Sequence, residues 1–277
     1  MKHWSSTGFS ALKYLCLAVA AVITGYPIVW LVAGSFKNRA EIFTNFWALP
    51  SSLGLDNFTR AWTQAGIGQN LINSLIVSSG AVAVTLLLAI PAAYAFVSLR
   101  IPAKAWILGG VVLTLMIRPT FNLVGLVRLF TATGLMNTYH GLILVYAATD
   151  LPFAIAVLTA YMQAIPRELG ESARLDGASE WRILWSIVRP LIGPAVSVVV
   201  ILTFLDAYND LIVALTVWNG STMQTLSIGL ASLIGARNLD YPSLFAGTAA
   251  SLVPVVVMFV IFQRRFINGF LSGATQR

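Results

Sequence analysis

Five strongly polar residues lie inside long apolar stretches of this 277-residue chain: Arg118, Asp150, Asp206, Asn209 and Asp210. Ionisable side chains are energetically unfavourable at membrane depth, so they indicate a function or a buried partner. Their carboxylate, amide and guanidinium groups could bind the hydrogen-bonding groups of a polar solute. They could equally hold helices together, if Arg118 pairs with Asp150 or Asp206. The residue types alone leave both interpretations open.

A second polar cluster is the segment ESARLDGASEWRILWSIVRP, residues 171–190. Pro166 suits the first turn of a helix, and Gly177 interrupts that helix. Ser179 is a good cap for a second helix, which Pro190 ends. Acidic and basic side chains nearly balance across this loop, whereas a site for anionic lipid would be predominantly basic. The pattern predicts a short helix, a glycine elbow and a second short helix that contact a protein partner.

The composition indicates that lipid surrounds the elements that carry these residues. Hydrophobic residues make up 58% of the chain and charged residues 10%, with a mean hydropathy of +0.82. A soluble domain carries about 25% charged residues. The single cysteine, Cys16, excludes an internal disulfide. We therefore expect a single all-α integral membrane domain over residues 1–277.

Six apolar windows are long enough to cross a hydrocarbon core of about 30 Å as helices. They cover about 11–36, 71–98, 105–127, 139–163, 191–217 and 242–263. The first window is too long for a cleaved signal peptide and is interpreted as a retained helix. A proline inside each window predicts that the helices bend. These prolines are Pro27, Pro91, Pro119, Pro152, Pro194 and Pro254.

The distribution of lysine and arginine predicts the orientation, because these residues favour the cytoplasmic side of a membrane. With the amino terminus inside, the inner segments hold Lys2, Lys13, Arg100, Lys104, Arg167, Arg174, Arg182, Arg189, Arg264, Arg265 and Arg277. The outer segments hold only Lys37, Arg39, Arg60, Arg128 and Arg237. Both termini and the loop 164–190 are therefore predicted to be cytoplasmic.

This orientation places three of the polar residues in one layer. Counting about 1.5 Å per residue from the cytoplasmic helix ends, Arg118, Asp150 and Asp206 lie roughly 20 Å along their helices. Arg118 precedes Pro119, a position that disfavours helical geometry and predicts local unwinding. Asp206 and Asp210 are four residues apart and share one helix face. The sequence therefore predicts that these side chains line one polar region.

The cytoplasmic loop resembles the EAA loop of ABC importer membrane subunits. The matching pattern of Glu-x-Ala, Asp-Gly-Ala and Ile-x-x-Pro is formed by Glu171, Ala173, Asp176, Gly177, Ala178, Ile187 and Pro190. Four further segments are similar to the carbohydrate branch, in particular to the smaller membrane subunit of the maltose-transporter type. They are NSLIVSSGAVAVTLLLAIPAAYAF, GLMNTYHGLILVY, ILTFLDAYNDLIVAL and FQRRFINGFLSGA. Ser172, Arg189 and Tyr208 depart from the family pattern.

The resemblance implies a permease with six transmembrane helices and a cytoplasmic coupling helix in the bacterial cytoplasmic (inner) membrane. That helix would dock in a cleft of a separate ATP-hydrolysing subunit and transmit its movement into the membrane helices. The residues implied in coupling are Glu171, Ala173, Asp176, Gly177 and Ala178. The implied partners are a second permease subunit, two ATP-binding subunits and an extracytoplasmic solute-binding protein, with no nucleic acid.

The chain itself is expected to be non-catalytic and to hold no cofactor. A phosphate-binding loop needs a lysine after a glycine, and none of the four lysines follows one. ATP and Mg²⁺ would therefore be bound by the partner ATPase subunits. His3 and His140 are too isolated to form a metal site.

The resemblance also implies a path for a sugar or sugar derivative. The candidate path residues are Arg118, Asn122, Asp150, Asp206, Tyr208, Asn209 and Asp210. One hypothesis is that Arg118 binds an anionic group of the substrate. The outer segment 37–69, which includes Trp62, is interpreted either as a surface for the binding protein or as a membrane-surface spacer.

Two other functions are considered. A stand-alone secondary transporter of small polar solutes is the alternative, although residues 1–138 and 139–277 show no clear repeat. A purely structural scaffold would not need polar residues at one depth.

Overall fold

The computed structural model describes the backbone of residues 4–45, 47–64, 66–218, 223–235 and 240–274. It describes the side chains of residues 10, 12–45, 47–63, 66–218, 223–234 and 240–263. Every regular element within these ranges is a helix, which confirms the predicted all-α class. Several cations used to predict the orientation lie outside the described side chains, namely Lys2, Arg237, Arg264, Arg265 and Arg277.

Fourteen α-helices are assigned along the described chain. They are α1 Trp4–Gly34, α2 Arg39–Thr44, α3 Asp56–Gln64, α4 Ile67–Ser98, α5 Lys104–Thr114, α6 Leu123–Thr133, α7 Tyr139–Gln163, α8 Arg167–Leu175, α9 Glu180–Ile183, α10 Arg189–Leu191, α11 Gly193–Asn209, α12 Ile212–Val217, α13 Leu226–Gly235 and α14 Tyr241–Ala274. Four of them, α1, α4, α7 and α14, contain stretches long and apolar enough to cross a membrane. The total is six if each of two bent helix pairs also forms one span.

The third predicted span, over about 105–127, is broken at its proline, in line with the predicted bend. Its first part, α5, ends at Thr114, and a 3₁₀ turn over Pro119–Asn122 leads into α6. The two parts are bent by 73°. Arg118 has the extended angles φ −87° and ψ 147° because Pro119 excludes helical geometry from the residue before it. The predicted unwinding at Arg118 is confirmed.

The fifth predicted span, over about 191–217, is divided between α11 and α12. Its membrane part, α11, starts at Gly193 and is bent by 79° from the segment Glu180–Leu191, which belongs to the predicted cytoplasmic loop. Pro194 lies in the first turn of α11, where its missing N–H is tolerated. At the other end Asp210 takes extended angles, and α12 begins as a separate short helix.

The remaining prolines in the apolar windows lie inside helices. Pro27 is within α1, Pro91 within α4, Pro152 within α7 and Pro254 within α14. Each removes one backbone donor from the helical ladder, so a carbonyl one turn earlier loses its usual partner.

The chain forms two compact units, residues 1–68 with 230–253 and residues 69–229 with 254–277. In the first unit, Trp30 packs edge-on against Phe245 with ring centroids 5.2 Å apart. Asn57 Nδ2 donates to the backbone carbonyls of Ser35 at 2.7 Å and Lys37 at 2.9 Å, which ties α3 to the end of α1. The single membrane domain predicted over residues 1–277 stays a prediction.

The outer segment 37–69, apart from Gln69, belongs to the first unit. Asn38 begins α2 with a reciprocal cap, in which its side chain accepts from Glu41 N and Glu41 accepts from Asn38 N. The second helix of this segment is α3, Asp56–Gln64. Trp62 on α3 is 54% exposed, which leaves both interpretations of the segment open.

The second unit has a buried core built on small residues. Five alanine side chains in this core have an exposed fraction of at most 1%, namely Ala81, Ala89, Ala93, Ala154 and Ala195. In a membrane, side chains of this size let helix backbones approach closely and gain packing contacts. The core also includes side chains from the second half of the cytoplasmic loop, among them Ile183 and Leu184. The end of that loop is therefore packed onto α4, α7 and α11.

Candidate functional site

The first half of the predicted coupling loop is α8. It carries Glu168 in its first turn and Arg174 in its last, and both charges complement the helix dipole. Within the fully described stretch 66–218, no side chain of α8 is buried. Leu175 at its end is 90% exposed. The helix therefore presents most of its length to a potential partner.

Gly177 forms the joint after α8. Its φ of +80° lies in the left-handed region, which glycine adopts without the steric penalty of a Cβ. The backbone N–H of Ala178 donates to Ala173 O at 2.9 Å and closes the end of α8. Ser179 Oγ then accepts from Arg182 N at 3.4 Å and caps α9. The predicted helix, glycine elbow and second helix are confirmed. Pro190 does not end the second helix as predicted, because that helix passes through a π-helical stretch over Leu184–Val188 and continues to Leu191.

The predicted coupling residues lie together on α8 and this elbow. Glu171, Asp176 and Gly177 are exposed. Ala173 and Ala178 are half-buried and pack against the core of the second unit. The small side chains of Ala173 and Ala178 thus attach the segment to the core of the second unit, while the carboxylates of Glu171 and Asp176 remain exposed. The role of these five residues in coupling stays a prediction.

A polar contact that the sequence analysis missed links the loop to the bundle. Arg174 Nε and Nη2 donate to Glu180 Oε1 and Oε2 at 2.7 Å and 3.1 Å, and the Tyr94 hydroxyl donates to Glu180 Oε2. Hydrogen bonds from Arg174, and then from Tyr94, hold the pKa of Glu180 below its usual value. The bond with Glu180 raises the pKa of Arg174. The pair is therefore ionised at neutral pH.

Arg189, one of the departures from the family pattern, has a local packing partner. Its guanidinium carbon lies 5.4 Å from the centroid of the Trp185 ring, within cation–π range. The substitution is therefore accommodated inside the loop itself.

The polar residues of the membrane segments surround a cavity of about 580 Å³ in the second unit. The break after α5 contributes Arg118, α7 contributes Asp150, and α11 with its end contributes Asp206, Asn209 and Asp210. The prediction that these side chains line one polar region is confirmed. Of the seven candidate path residues, five therefore share one cavity.

Arg118 meets one of the two acids with which it was predicted to pair. Its Nη1 lies 3.5 Å from Asp206 Oδ1, and the two side chains are 65% and 37% exposed. Asp150 Oδ2 and Thr203 Oγ1 are buried and have no hydrogen-bond partner within the described part of the chain. The cavity therefore combines a loosely paired arginine with an unsatisfied carboxylate oxygen.

Asp210 stabilises the helices at the edge of the cavity through hydrogen bonds. Its Oδ2 accepts from the Tyr146 hydroxyl at 2.9 Å and from the backbone N–H groups of Val213 and Ala214 at 2.9 Å and 3.1 Å. These bonds cap α12 and join it to α7. That oxygen is already occupied, so a direct substrate contact by Asp210 depends on its other oxygen.

The remaining path candidates are placed differently. Asn209 is exposed in the cavity, and its Nδ2 donates to Leu205 O at 2.9 Å. Tyr208 is 3% exposed and stacks on Phe204 with centroids 5.3 Å apart. Asn122 accepts from Gly125 N at 3.0 Å and caps α6. Among the described residues that line the cavity, neither Tyr208 nor Asn122 is present.

The cavity also contains residues that the sequence analysis did not select. Thr114 and Thr149 line it with their hydroxyl groups bonded to carbonyls of their own helices, Val111 O and Val145 O. A threonine bonded in this way is common in membrane helices. Its residue type therefore gave no signal, although Thr149 directly precedes Asp150.

Comparison with known protein families identifies the family of this chain. A family model described as "Binding-protein-dependent transport system inner membrane component" matches residues 86–269. The chain belongs to this family. The matched region includes the whole of the coupling loop and every candidate path residue of this permease.

Two relatives of the permease match it over nearly its whole length. The "Diacetylchitobiose uptake system permease protein NgcG" of Streptomyces coelicolor is 32% identical over 99% of this chain and 91% of its own length. The "Arabinooligosaccharides transport system permease protein AraQ" of Halalkalibacterium halodurans is 33% identical over 100% of both chains. The predicted resemblance to carbohydrate ABC importer permeases is confirmed.

A solved structure has the same fold as the permease. It is described as a bacterial ABC transporter involved in the import of the acidic polysaccharide alginate, and it aligns with a TM-score of 0.81. The alignment covers 96% of this chain and 99% of the other, at 20% identity. The permease is thus a multi-pass membrane protein of the ABC importer fold.

Proposed function

We propose that this chain is one of two permease subunits that form the translocation path of an ATP-driven sugar importer. Two separate ATP-binding subunits hold ATP and Mg²⁺ and drive the cycle. The observation that carries this proposal is the exposed helix α8, jointed at Gly177 to a second helix that is packed into the membrane bundle. A helix with no buried side chain in the described stretch 66–218 has its surface free for a partner.

Transport follows from two arrangements of the bundle. If the ATPase cleft binds α8 differently in its nucleotide states, it shifts the bundle between inward-open and outward-open forms. A ligand shifts such an equilibrium only as far as its affinity differs between the two states. This chain therefore needs no catalytic residue of its own, and its contribution is mechanical.

The cavity supports a polyhydroxylated, uncharged substrate. Arg118 supplies one positive charge, whereas Asp150, Asp206 and Asp210 supply three carboxyl groups, so an acidic sugar would meet an excess of acidic side chains. Carboxylate and amide oxygens accept hydrogen bonds from sugar hydroxyls, so Asp206 and the exposed Asn209 can serve as acceptors on the cavity wall. The names of the two sugar-uptake relatives support the same substrate class.

The remaining partners follow from the family. An extracytoplasmic solute-binding protein delivers the sugar to the outer face, where the segment 37–69 with α2 and α3 is the candidate docking surface. The complex operates in the bacterial cytoplasmic (inner) membrane. Family membership and the apolar helices support this location.

The decisive experiment is purification of the chain from its native membrane, followed by reconstitution into liposomes. The proposal requires an ATPase and a second permease-like chain to co-purify with it, and uptake of sugar to depend on ATP. Active uptake by the solitary chain would reject it in favour of a secondary transporter. A variant that lacks the segment from Glu171 to Ala178 should still insert into the membrane but should lose transport-coupled ATP hydrolysis. It is the control for coupling through this loop.

A further inference from the structure

Glu180 is a hydrogen-bond acceptor that joins three helices. It accepts two bonds from Arg174 in the last turn of α8 and one from the hydroxyl of Tyr94 in α4. Glu180 is itself the first residue of α9. A single carboxylate therefore connects the coupling helix, the second helix of the loop and a membrane span.

The two halves of the loop are attached to the bundle very differently. After the elbow, Ile183 and Leu184 are 1% and 2% exposed and pack with α4, α7 and α11. Before it, only the half-buried Ala173 packs against that core from within α8, as judged over the fully described stretch 66–218. Apolar packing alone thus fixes the second half firmly and the first half weakly.

The joint between these halves is formed by a residue type that restricts the backbone least. Gly177 lacks a Cβ and has more accessible backbone conformations than any other residue. The Arg174–Glu180 bond spans this joint, with one partner on each side of it. A bidentate arginine–carboxylate pair fixes relative orientation as well as distance. Tyr94 then ties the same carboxylate to α4.

We propose that Glu180 is a positioning residue that locks α8 to α4, so that movement of the docked helix reaches the membrane span instead of being absorbed at Gly177. This inference rests on the proposed function, since it requires an ATPase that moves α8. Glu180 acts through Arg174 and Tyr94 and needs no contact with the partner.

The pair has little influence on folding. The side chains of Arg174 and Glu180 are 37% and 42% exposed, and ion pairs at such sites contribute little to the free energy of unfolding. Removal of the carboxylate therefore leaves the chain folded and inserted. What changes is the stiffness of the connection between α8 and α4.

The test uses the complete complex in liposomes, with the ATPase subunits inside and the loaded binding protein outside. Uptake of the sugar and hydrolysis of ATP are measured separately on Glu180→Gln, which keeps the shape of the side chain and removes its charge. The number of sugar molecules transported per ATP should fall about fivefold, the lower end of the effects of coupling between two sites. The amount of co-purifying ATPase should not change.

Two further variants separate positioning from general damage. Arg182→Gln removes a charge from an exposed α9 residue outside this contact and should keep the wild-type ratio of transport to hydrolysis. The exchanged pair Arg174→Glu with Glu180→Arg restores an ion pair across the joint. It should recover part of the ratio that either single change loses.

A wild-type ratio in Glu180→Gln overturns the inference, as does a loss of transport fully explained by a smaller amount of bound ATPase. Failure of the wild-type chain to co-purify with any ATPase is a different result. It rejects the proposed function before the Glu180 comparison is made.

Discussion

Arg118, in the break of the third membrane segment, contacts Asp206 of α11, with the guanidinium Nη1 3.5 Å from the carboxylate Oδ1. Pro119 extends the backbone at Arg118 and so turns the side chain out of a continuous helix. The same cavity holds Asp150, whose Oδ2 is buried without a partner in the described chain. The positive charge of Arg118 therefore offsets part of the negative charge of the acidic side chains in this cavity.

Arg118→Ala should reduce the uptake of a neutral sugar, about tenfold at most. The reason is that the guanidinium neutralises Asp206, and its loss leaves this carboxylate uncompensated in an already acidic cavity. Uptake by the reconstituted complex is the measurement, with Arg128→Ala on the exposed side of α6 as the control. Adding Asp206→Asn to Arg118→Ala should recover part of the uptake. Unchanged uptake of the neutral sugar, with loss of an acidic analogue alone, would instead indicate that Arg118 binds a substrate anion.

Gly177→Ala should lower the free energy of unfolding by about 1–2 kcal/mol, because a residue with a Cβ is strained in the left-handed region. A Cβ at this position would meet nothing within 4 Å, so the effect is one of backbone strain alone. Gly170→Ala is the matched control, since its Cβ would make only an ordinary 3.5 Å contact with Arg174. Denaturant unfolding of the purified permease measures both. Equal stabilities of the two variants would contradict the strain argument.

Asp210→Ala should destabilise the protein by about 1–3 kcal/mol, because three buried or partly buried donors lose their acceptor. Asp210→Asn keeps an oxygen that can cap α12, so it should lose less. Unfolding and uptake are measured together, with Leu215→Ala, at a 53% exposed position of α12 outside the cavity lining, as the neighbouring control. If Asp210→Asn retains full stability but loses uptake, Asp210 contacts the substrate in addition to capping α12.

The attachment of α8 should depend on pH through Glu180. Its pKa is lowered in the folded protein, chiefly by hydrogen bonds from Arg174 and Tyr94. The stabilisation is therefore fully present above the unfolded pKa of about 4.3 and is lost as the pH falls through the lower folded pKa. Amide hydrogen exchange of α8 should be slower in the wild type than in Glu180→Gln at neutral pH. The difference should vanish in acid, and a difference that persisted at pH 2 would contradict this explanation.

Features governed by local chemistry were predictable from the sequence. The apolar windows indicated the long helices because spanning a membrane requires about 20 apolar residues. Gly177 and Ser179 indicated the elbow and its cap, and Pro119 indicated the unwinding at Arg118. Each of these outcomes depends on residues within one or two turns of one another.

Features governed by distant contacts were not predictable. Tyr94 and Glu180 are 86 residues apart, and neither residue type signals the other. Tyr208 belongs to a polar run, yet it is buried against Phe204, while the 73° bend leaves Asn122 to cap α6 outside the cavity. Asp210 looked like a path residue, but the end of α11 places it where α12 needs a cap. Spacing along the chain cannot distinguish these environments.

Docking of α8 in an ATPase subunit is most directly tested by cross-linking. In a chain carrying Cys16→Ser and Leu175→Cys, a thiol replaces the 90% exposed side chain at the end of α8. Thiol-reactive cross-linking of the reconstituted complex should join this position to the ATPase subunit, with a yield that changes when ATP is added. Absence of any cross-link to that subunit, in every nucleotide state and with the complex shown to be intact, would contradict the docking of α8.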